Sequence, residues 1–174
     1  MKGFGPKNNF KKDNKNINFF ENDKLILNAL KLHNEGKISE AKNSYQDLIK
    51  NGISDPRVFT NLGVILQSEN NYEKAVELYK KSIIIFPESH EAYSNLGRIL
   101  LETGQYDLAE NYLIKVIKLK PDFLMAYQNL FNVYCRNNNR KKAENVLYDC
   151  LKIAPNNPLL LSNLGRFLLE KGNY

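Results

Sequence analysis

The chain has 174 residues, of which 43% are hydrophobic and 25% charged, with a formal charge of +6. That length suits one domain, and that composition is globular rather than disordered or membrane-embedded. No window reaches the roughly 18 apolar residues that a spanning helix needs, and the N-terminal lysines have no apolar run behind them, so no secretory signal is expected.

The first 20 residues carry Lys2, Lys7, Lys11, Lys12 and Lys15 against Asp13, so +4 of the +6 precedes everything else. This tail opens Met-Lys-Gly-Phe-Gly-Pro and continues with alternating lysine and asparagine. Such a composition buries too little apolar surface to fold alone, and residues 1–21 are expected as a basic, disordered leader. Ile17, Phe19 and Phe20 are candidates to fold back on the first helix. A basic tail also suits electrostatic contact with RNA, anionic lipid or an acidic protein.

From Asn22 onward the chain repeats itself. Segments starting at Asn22, Pro56, His90, Leu124 and Pro158 follow one another every 34 residues without insertion or deletion. Such a period accommodates two antiparallel helices of about 14 residues and their turns. The predicted helices are 22–35 and 38–51, 56–69 and 72–85, 90–103 and 106–119, 124–137 and 140–153, and then 158–171. The chemistry at each register explains the pairs. The eighth position is Ala29, Gly63, Gly97, Phe131 and Gly165, and the twentieth is Ala41, Ala75, Ala109 and Ala143. Small residues on facing helices let the axes approach at the short end of the usual 8–10 Å range. Larger knobs surround them: Leu25, Phe59, Tyr93, Tyr127 and Leu161 at the fourth position, and Tyr45, Tyr79, Leu113 and Leu147 at the twenty-fourth.

The turns follow the same register. The fifteenth position, between the two helices, is Gly36, Asn70, Gly104, Asn138 and Gly172, residue types that tolerate the left-handed conformation ending a helix. Pro87, Pro121 and Pro155 stop the second helices. The first repeat has Ile53 at that place, and Ser54-Asp55-Pro56 are expected to make its turn slightly later.

These residues resemble the tetratricopeptide-repeat (TPR) family over about 22–174. The runs Phe59-Thr-Asn-Leu-Gly63 with Ala75 and Pro87, and Tyr93-Ser-Asn-Leu-Gly97 with Ala109 and Pro121, match its defining positions. The resemblance implies an all-α solenoid, a superhelix of about four and a half repeats, serving as a protein-binding scaffold. Phe131 departs from the pattern, so the fourth helix pair is expected to be spread. The leader is similar to that of a group of cyanobacterial TPR proteins whose repeats precede a transferase domain.

The ends of the array differ. Positions facing a preceding repeat are apolar in Val58 and Ile65, Ala92 and Ile99, Ala126 and Val133, Leu160 and Phe167, but are Lys24 and Lys31 in the first repeat. The first repeat therefore reads as an N-terminal cap. The last helix, Leu159 to Leu169, is too apolar for a solvated cap, so its outer side is expected to be exposed. It is expected either to meet a partner through self-association or to be followed past Tyr174 by further repeats or a transferase domain.

In the family, the first helices line the concave side. The sixth position reads Asn61, Asn95, Asn129 and Asn163, four successive carboxamides, each with an acceptor and two donors for a peptide backbone. Helices about 10 Å apart and a peptide rising roughly 3.3 Å per residue bring one asparagine to about every third ligand residue. This is similar to the asparagine ladder in the TPR arm of O-linked N-acetylglucosamine transferases; the alternative is that these residues only bond across the helix interface. Thr60, Ser94, Gln128 and Ser162 form the polar floor, with Asn132, Arg98, Arg136 and Arg166 completing the candidate groove. Glu102 and Glu170 offset the arginines, so an internal ion network competes with an anion site. The lysine and arginine of the carboxylate-gripping TPR subgroup do not occur at the fifth and sixth positions, which rejects a chaperone-tail clamp.

The expected function is a non-catalytic cytoplasmic scaffold that binds an extended peptide or partner protein in its concave groove, with the substrate-recruiting arm of a larger protein as one form of it. RNA binding through the basic tail is the alternative, disfavoured by the strict 34-residue period and the near-neutral array. Neither a catalytic set, nor a phosphate loop, nor metal-ligand spacing occurs, so no small-molecule substrate, cofactor or metal is expected. Cys135 and Cys150 lie far from His33 and His90 in sequence and make neither a disulfide framework nor a metal site. Cys150 reads as a small core residue and Cys135 as partly exposed.

Overall fold

The computed structural model describes residues 10–172, which form nine α-helices among the described residues. They are α1 (Phe10–Asn34), α2 (Ile38–Lys50), α3 (Pro56–Ser68), α4 (Tyr72–Ile85), α5 (His90–Glu102), α6 (Tyr106–Leu119), α7 (Leu124–Arg136), α8 (Arg140–Ile153) and α9 (Pro158–Gly172). Apart from the start of α1, these limits fall within a residue of the expected ones.

Helix α1 begins at Phe10, well ahead of Asn22. The physical reason is plain in the sequence: no proline or glycine interrupts residues 10–34, so once the repeat anchors the C-terminal half the helix continues backward. The leader expected over 1–21 is thus helical from Phe10; its residues 1–9 lie outside the described ones.

Several helix ends have a local cause in a side chain or a turn residue. Asp55 and Ser89 cap α3 and α5 by accepting from Arg57 N at 2.8 Å and Ala92 N at 3.3 Å. Asn139 and Asn157 do the same for α8 and α9, accepting from Lys142 N and Leu160 N, both at 3.2 Å. These side chains satisfy N–H groups that a helix start leaves orphaned. At the other ends Gly36, Asn70, Gly104 and Asn138 take φ of 75°, 61°, 75° and 53°, the left-handed turn predicted for that register. The following residue then donates back to the last turn, as in Lys37 N to Leu32 O and Gln105 N to Leu100 O.

The first repeat departs from expectation in a small way. Helix α2 stops at Lys50, and Gly52 takes a φ of +79° with Ile53 N donating to Leu48 O. The turn therefore comes earlier than expected, because a glycine without Cβ ends the helix before Ser54-Asp55-Pro56 is reached.

The pairs pack as their spacing dictates. Ala41, Ala75, Ala109 and Ala143 are fully buried. A Cβ on Gly63 would lie 2.5 Å from the Tyr79 ring, and one on Gly97 would lie 2.7 Å from Leu113, so these glycines are what let α3 meet α4 and α5 meet α6. Between repeats, Val58, Ile65, Ala92, Ile99, Ala126, Val133, Leu160 and Phe167 are buried, whereas Lys24 and Lys31 are exposed. Arg57 ties the first repeat to the second, reaching Asp23 at 2.7 Å and Asp55 at 2.9 Å.

Successive first helices from α1 to α7 approach one another directly, while among the described residues the second helices α2, α4, α6 and α8 do not. The array therefore curves around its first helices, which form the concave face. The series stops at its end: among the described residues α9 packs on α8 and not backbone-to-backbone on α7. Instead, the rings of Phe131 and Phe167 meet edge-on at 5.9 Å. Beyond them, Leu161, Leu168 and Leu169 are exposed on α9, the apolar outer side anticipated above.

Candidate functional site

Asparagines at equivalent places on α3, α5, α7 and α9 share a register but not an environment. Asn61 is half-buried, and its Nδ2 donates to Arg57 O at 2.8 Å, leaving the carbonyl oxygen for other donors. Asn95 is half-buried with no hydrogen-bond partner among the described residues. Asn129 is only 8% exposed, and its Nδ2 is buried without an acceptor. Asn163 is half-buried and accepts weakly from Arg166 Nη2 at 3.5 Å. The four carboxamides thus share a register on successive first helices, each with unused hydrogen-bonding capacity.

The residues around them divide into three groups. Thr60 and Asn61 line a recess of about 300 Å³ with Pro56 and Phe86, at the start of α3. Within it Thr60 Oγ1 lies 2.9 Å from Ser82 Oγ, which donates to Pro56 O at 3.2 Å, so Thr60 is the donor of that pair and is held to α4. Gln128, Asn132 and Asn163 come together at the mouth of a cavity of about 200 Å³ between α7, α8 and α9. Ser94 is buried, whereas Ser162, Arg136 and Arg166 are exposed.

Arg98 belongs elsewhere. Its Nη2 donates to Gln67 Oε1 at 2.8 Å and its Nη1 to Glu102 Oε1 at 3.3 Å. The same Gln67 oxygen accepts from Tyr79 OH at 3.1 Å, and Gln67 Nε2 donates to Glu102 Oε2 at 3.3 Å. Gln67 is buried, so this is an internal polar network joining α3, α4 and α5. The guanidinium is neutralised within the array, which favours the ion-network alternative over an anion site at Arg98. Burial pushes the Tyr79 hydroxyl well above its usual range, with Arg98 opposing and Glu102 reinforcing the shift. Gln67 was not legible as a functional candidate. Its only signal is a polar residue where Leu101 stands one repeat later.

Cys150 is buried and Cys135 exposed, in the places their registers indicated. Burial raises the Cys150 thiol above its ordinary pKa, which keeps it a protonated, apolar-like group. Among the described residues no three or more His, Cys, Asp or Glu gather as a metal site, and no helix is long and apolar enough to cross a membrane.

Comparison with known proteins gives one consistent picture. Two sequence profiles described as tetratricopeptide repeat match residues 29–90 and 66–131. No curated protein matches the sequence significantly. Among solved structures, PilF of Pseudomonas aeruginosa is similar with a TM-score of 0.77 and 21% identity over 88% of this chain and 70% of that one. MamA of Desulfovibrio magneticus RS-1 is similar with a TM-score of 0.75 and 23% identity, over 87% of this chain and 86% of that one. YrrB superposes with a TM-score of 0.70 and 22% identity, over 78% of this chain and 70% of that one. At these identities the likeness is one of fold.

Proposed function

Because the chain belongs to the tetratricopeptide-repeat family and has its protein-interaction scaffold fold, we propose that its concave face holds an extended peptide segment and catalyses nothing. The observation that carries this reading is the carboxamide column. Asn61, Asn95, Asn129 and Asn163 stand on four successive first helices, and each keeps a donor or acceptor that no protein group uses. A buried donor left unpaired costs roughly 1–3 kcal/mol. A peptide carbonyl over α7, met by a small turn of the Asn129 side chain, relieves that cost. Carboxamides read the backbone rather than side chains, so they give affinity in several registers with little sequence preference. YrrB, similar in fold, is described as a TPR protein with an unusual peptide-binding site, which supports peptide binding by this chain.

The test is selection from a displayed random-peptide library, followed by affinity measurement on the wild type and on Asn61→Ala/Asn95→Ala. Both substitutions lie on helix surfaces where alanine favours the helix, so circular dichroism should match. Each lost hydrogen bond is worth about 0.5–1.5 kcal/mol, so selected peptides should bind the double variant roughly tenfold or more weakly. Equal affinity would make the asparagines structural and sink the reading, as would a library from which nothing is enriched.

A further inference from the structure

We propose that the cavity between α7, α8 and α9 seats one phenyl-sized apolar side chain of the bound peptide and thereby sets its register. The inference rests on the peptide-groove reading and adds what that reading lacks, a point of sequence preference.

The cavity has a floor and a mouth of opposite character. Its floor is Tyr127, Phe131, Val146, Leu147, Cys150 and Leu160, all buried. Its mouth is Gln128 and Asn163, half-buried, with Asn132 exposed. Among the described residues its lining contains no charged side chain. A volume of about 200 Å³ is ample for an aromatic ring, since an apolar cavity of roughly 150 Å³ accepts benzene. Water on such a floor finds few partners, so an apolar group that displaces it gains affinity. A charged side chain would leave its hydration shell for nothing in return. The three carboxamides stand where the backbone on either side of an inserted residue would pass, and their donors and acceptors suit it.

At the equivalent register the two preceding pairs are closed by a side chain of the second helix. There Gly63 and Gly97 admit Tyr79 and Leu113 against the helix backbone, so tightly that a Cβ would clash at 2.5 and 2.7 Å. At the fourth pair Phe131 replaces the glycine and faces Phe167 across the gap between α7 and α9. One anchor site beside a repetitive column means that the anchor fixes which peptide residue meets which asparagine. Buried aromatic anchors commonly dominate recognition in this manner.

The experiment is a nuclear magnetic resonance titration of the isotope-labelled full chain with three blocked amino acids, the N-acetyl methylamides of phenylalanine, alanine and glutamate. The phenylalanine compound should give saturable shifts at amides around Phe131, Cys150 and Asn163 in the millimolar range, and the other two should not. A second protein, Cys150→Leu, fills the floor. Leu48 occupies the same register in the first repeat and is buried there, so the leucine should fold, with an unchanged melting profile. It should weaken the phenylalanine compound at least about tenfold. Absence of saturable shifts, shifts undiminished in Cys150→Leu, or equal binding of the alanine compound would each overturn the proposal. The two readings fail separately. Library peptides that need Asn61 and Asn95 but show no enriched apolar residue would remove the anchor and leave the groove. A phenylalanine compound that binds while no peptide is enriched would remove the groove, and the register-setting role with it.

Discussion

Tyr45 is fully buried on α2, and burial lifts its hydroxyl from 10.0 to about 12. Tyr79, Tyr127 and Tyr134 are shifted in the same direction, chiefly by burial, with Glu110 reinforcing the shift at Tyr134. A phenol whose folded pKa exceeds its unfolded one stabilises the fold fully below the unfolded value and loses that contribution as pH rises through the folded value. The melting temperature should thus be insensitive to these groups below pH 10 and fall between pH 10 and about 12. Thermal melts followed by circular dichroism should show this, with tyrosinate absorbance appearing together with helix loss rather than before it. The glycines give a second prediction at this scale. Gly63→Ala must displace the Tyr79 ring, whose hydroxyl is fixed by Gln67. Overpacking of this kind costs about 1–3 kcal/mol, against roughly 1 kcal/mol gained in helix propensity. Gly165→Ala meets nothing within 4 Å and should gain about 0.5–1 kcal/mol. Urea melts should give the two substitutions opposite signs. Both glycines fill the same register, so their difference was invisible until the facing side chain was placed.

Helix limits are set by short-range chemistry, and they were the most legible feature of all. The left-handed residues Gly36, Asn70, Gly104 and Asn138 fall at one register, and each is a residue type that tolerates that conformation. Gly104→Ala should cost about 1 kcal/mol, because an L side chain at φ +75° crowds its own carbonyl even though no neighbour lies within 4 Å. A chemical-denaturation midpoint shift at constant slope would measure it. Where the reading of elements missed, a local signal had been outweighed by composition. The charge and asparagine content of residues 10–21 suggested disorder, yet the stretch has no helix breaker and continues α1. Gly52 likewise ended α2 before the expected turn.

In a solenoid each repeat touches only its neighbours, so stability is close to a sum of repeat and interface contributions. Two buried clusters meet at α5, one running from Ile26 to Ile99 and the other from Leu100 to Phe167, and α5 and α6 have packed neighbours in both directions along the array. Helix α9 packs on α8 and leaves Leu161, Leu168 and Leu169 exposed. Hydrogen exchange should therefore be fastest in α9 and slowest in α5 and α6, with separate opening free energies along the array. A single uniform protection factor across all helices would contradict this.

The sequence by itself determined the repeat, the all-α class, the helix pairs and their turns, and the exposed lysines of the first repeat. It did so because the interactions that build a solenoid are local: small residues, knobs and caps meet partners within the same repeat or the next. Only the tertiary structure decided the state of the candidate site. It buried Asn129 while leaving Asn95 half-open, drew Arg98 into a network with Gln67 and Glu102, and opened a cavity where α9 stands away from α7. Residues at one register share a helix face, but whether a carboxamide or a guanidinium is satisfied depends on distances of a few tenths of an ångström to side chains on other helices. Periodicity fixes the first and carries no information about the second.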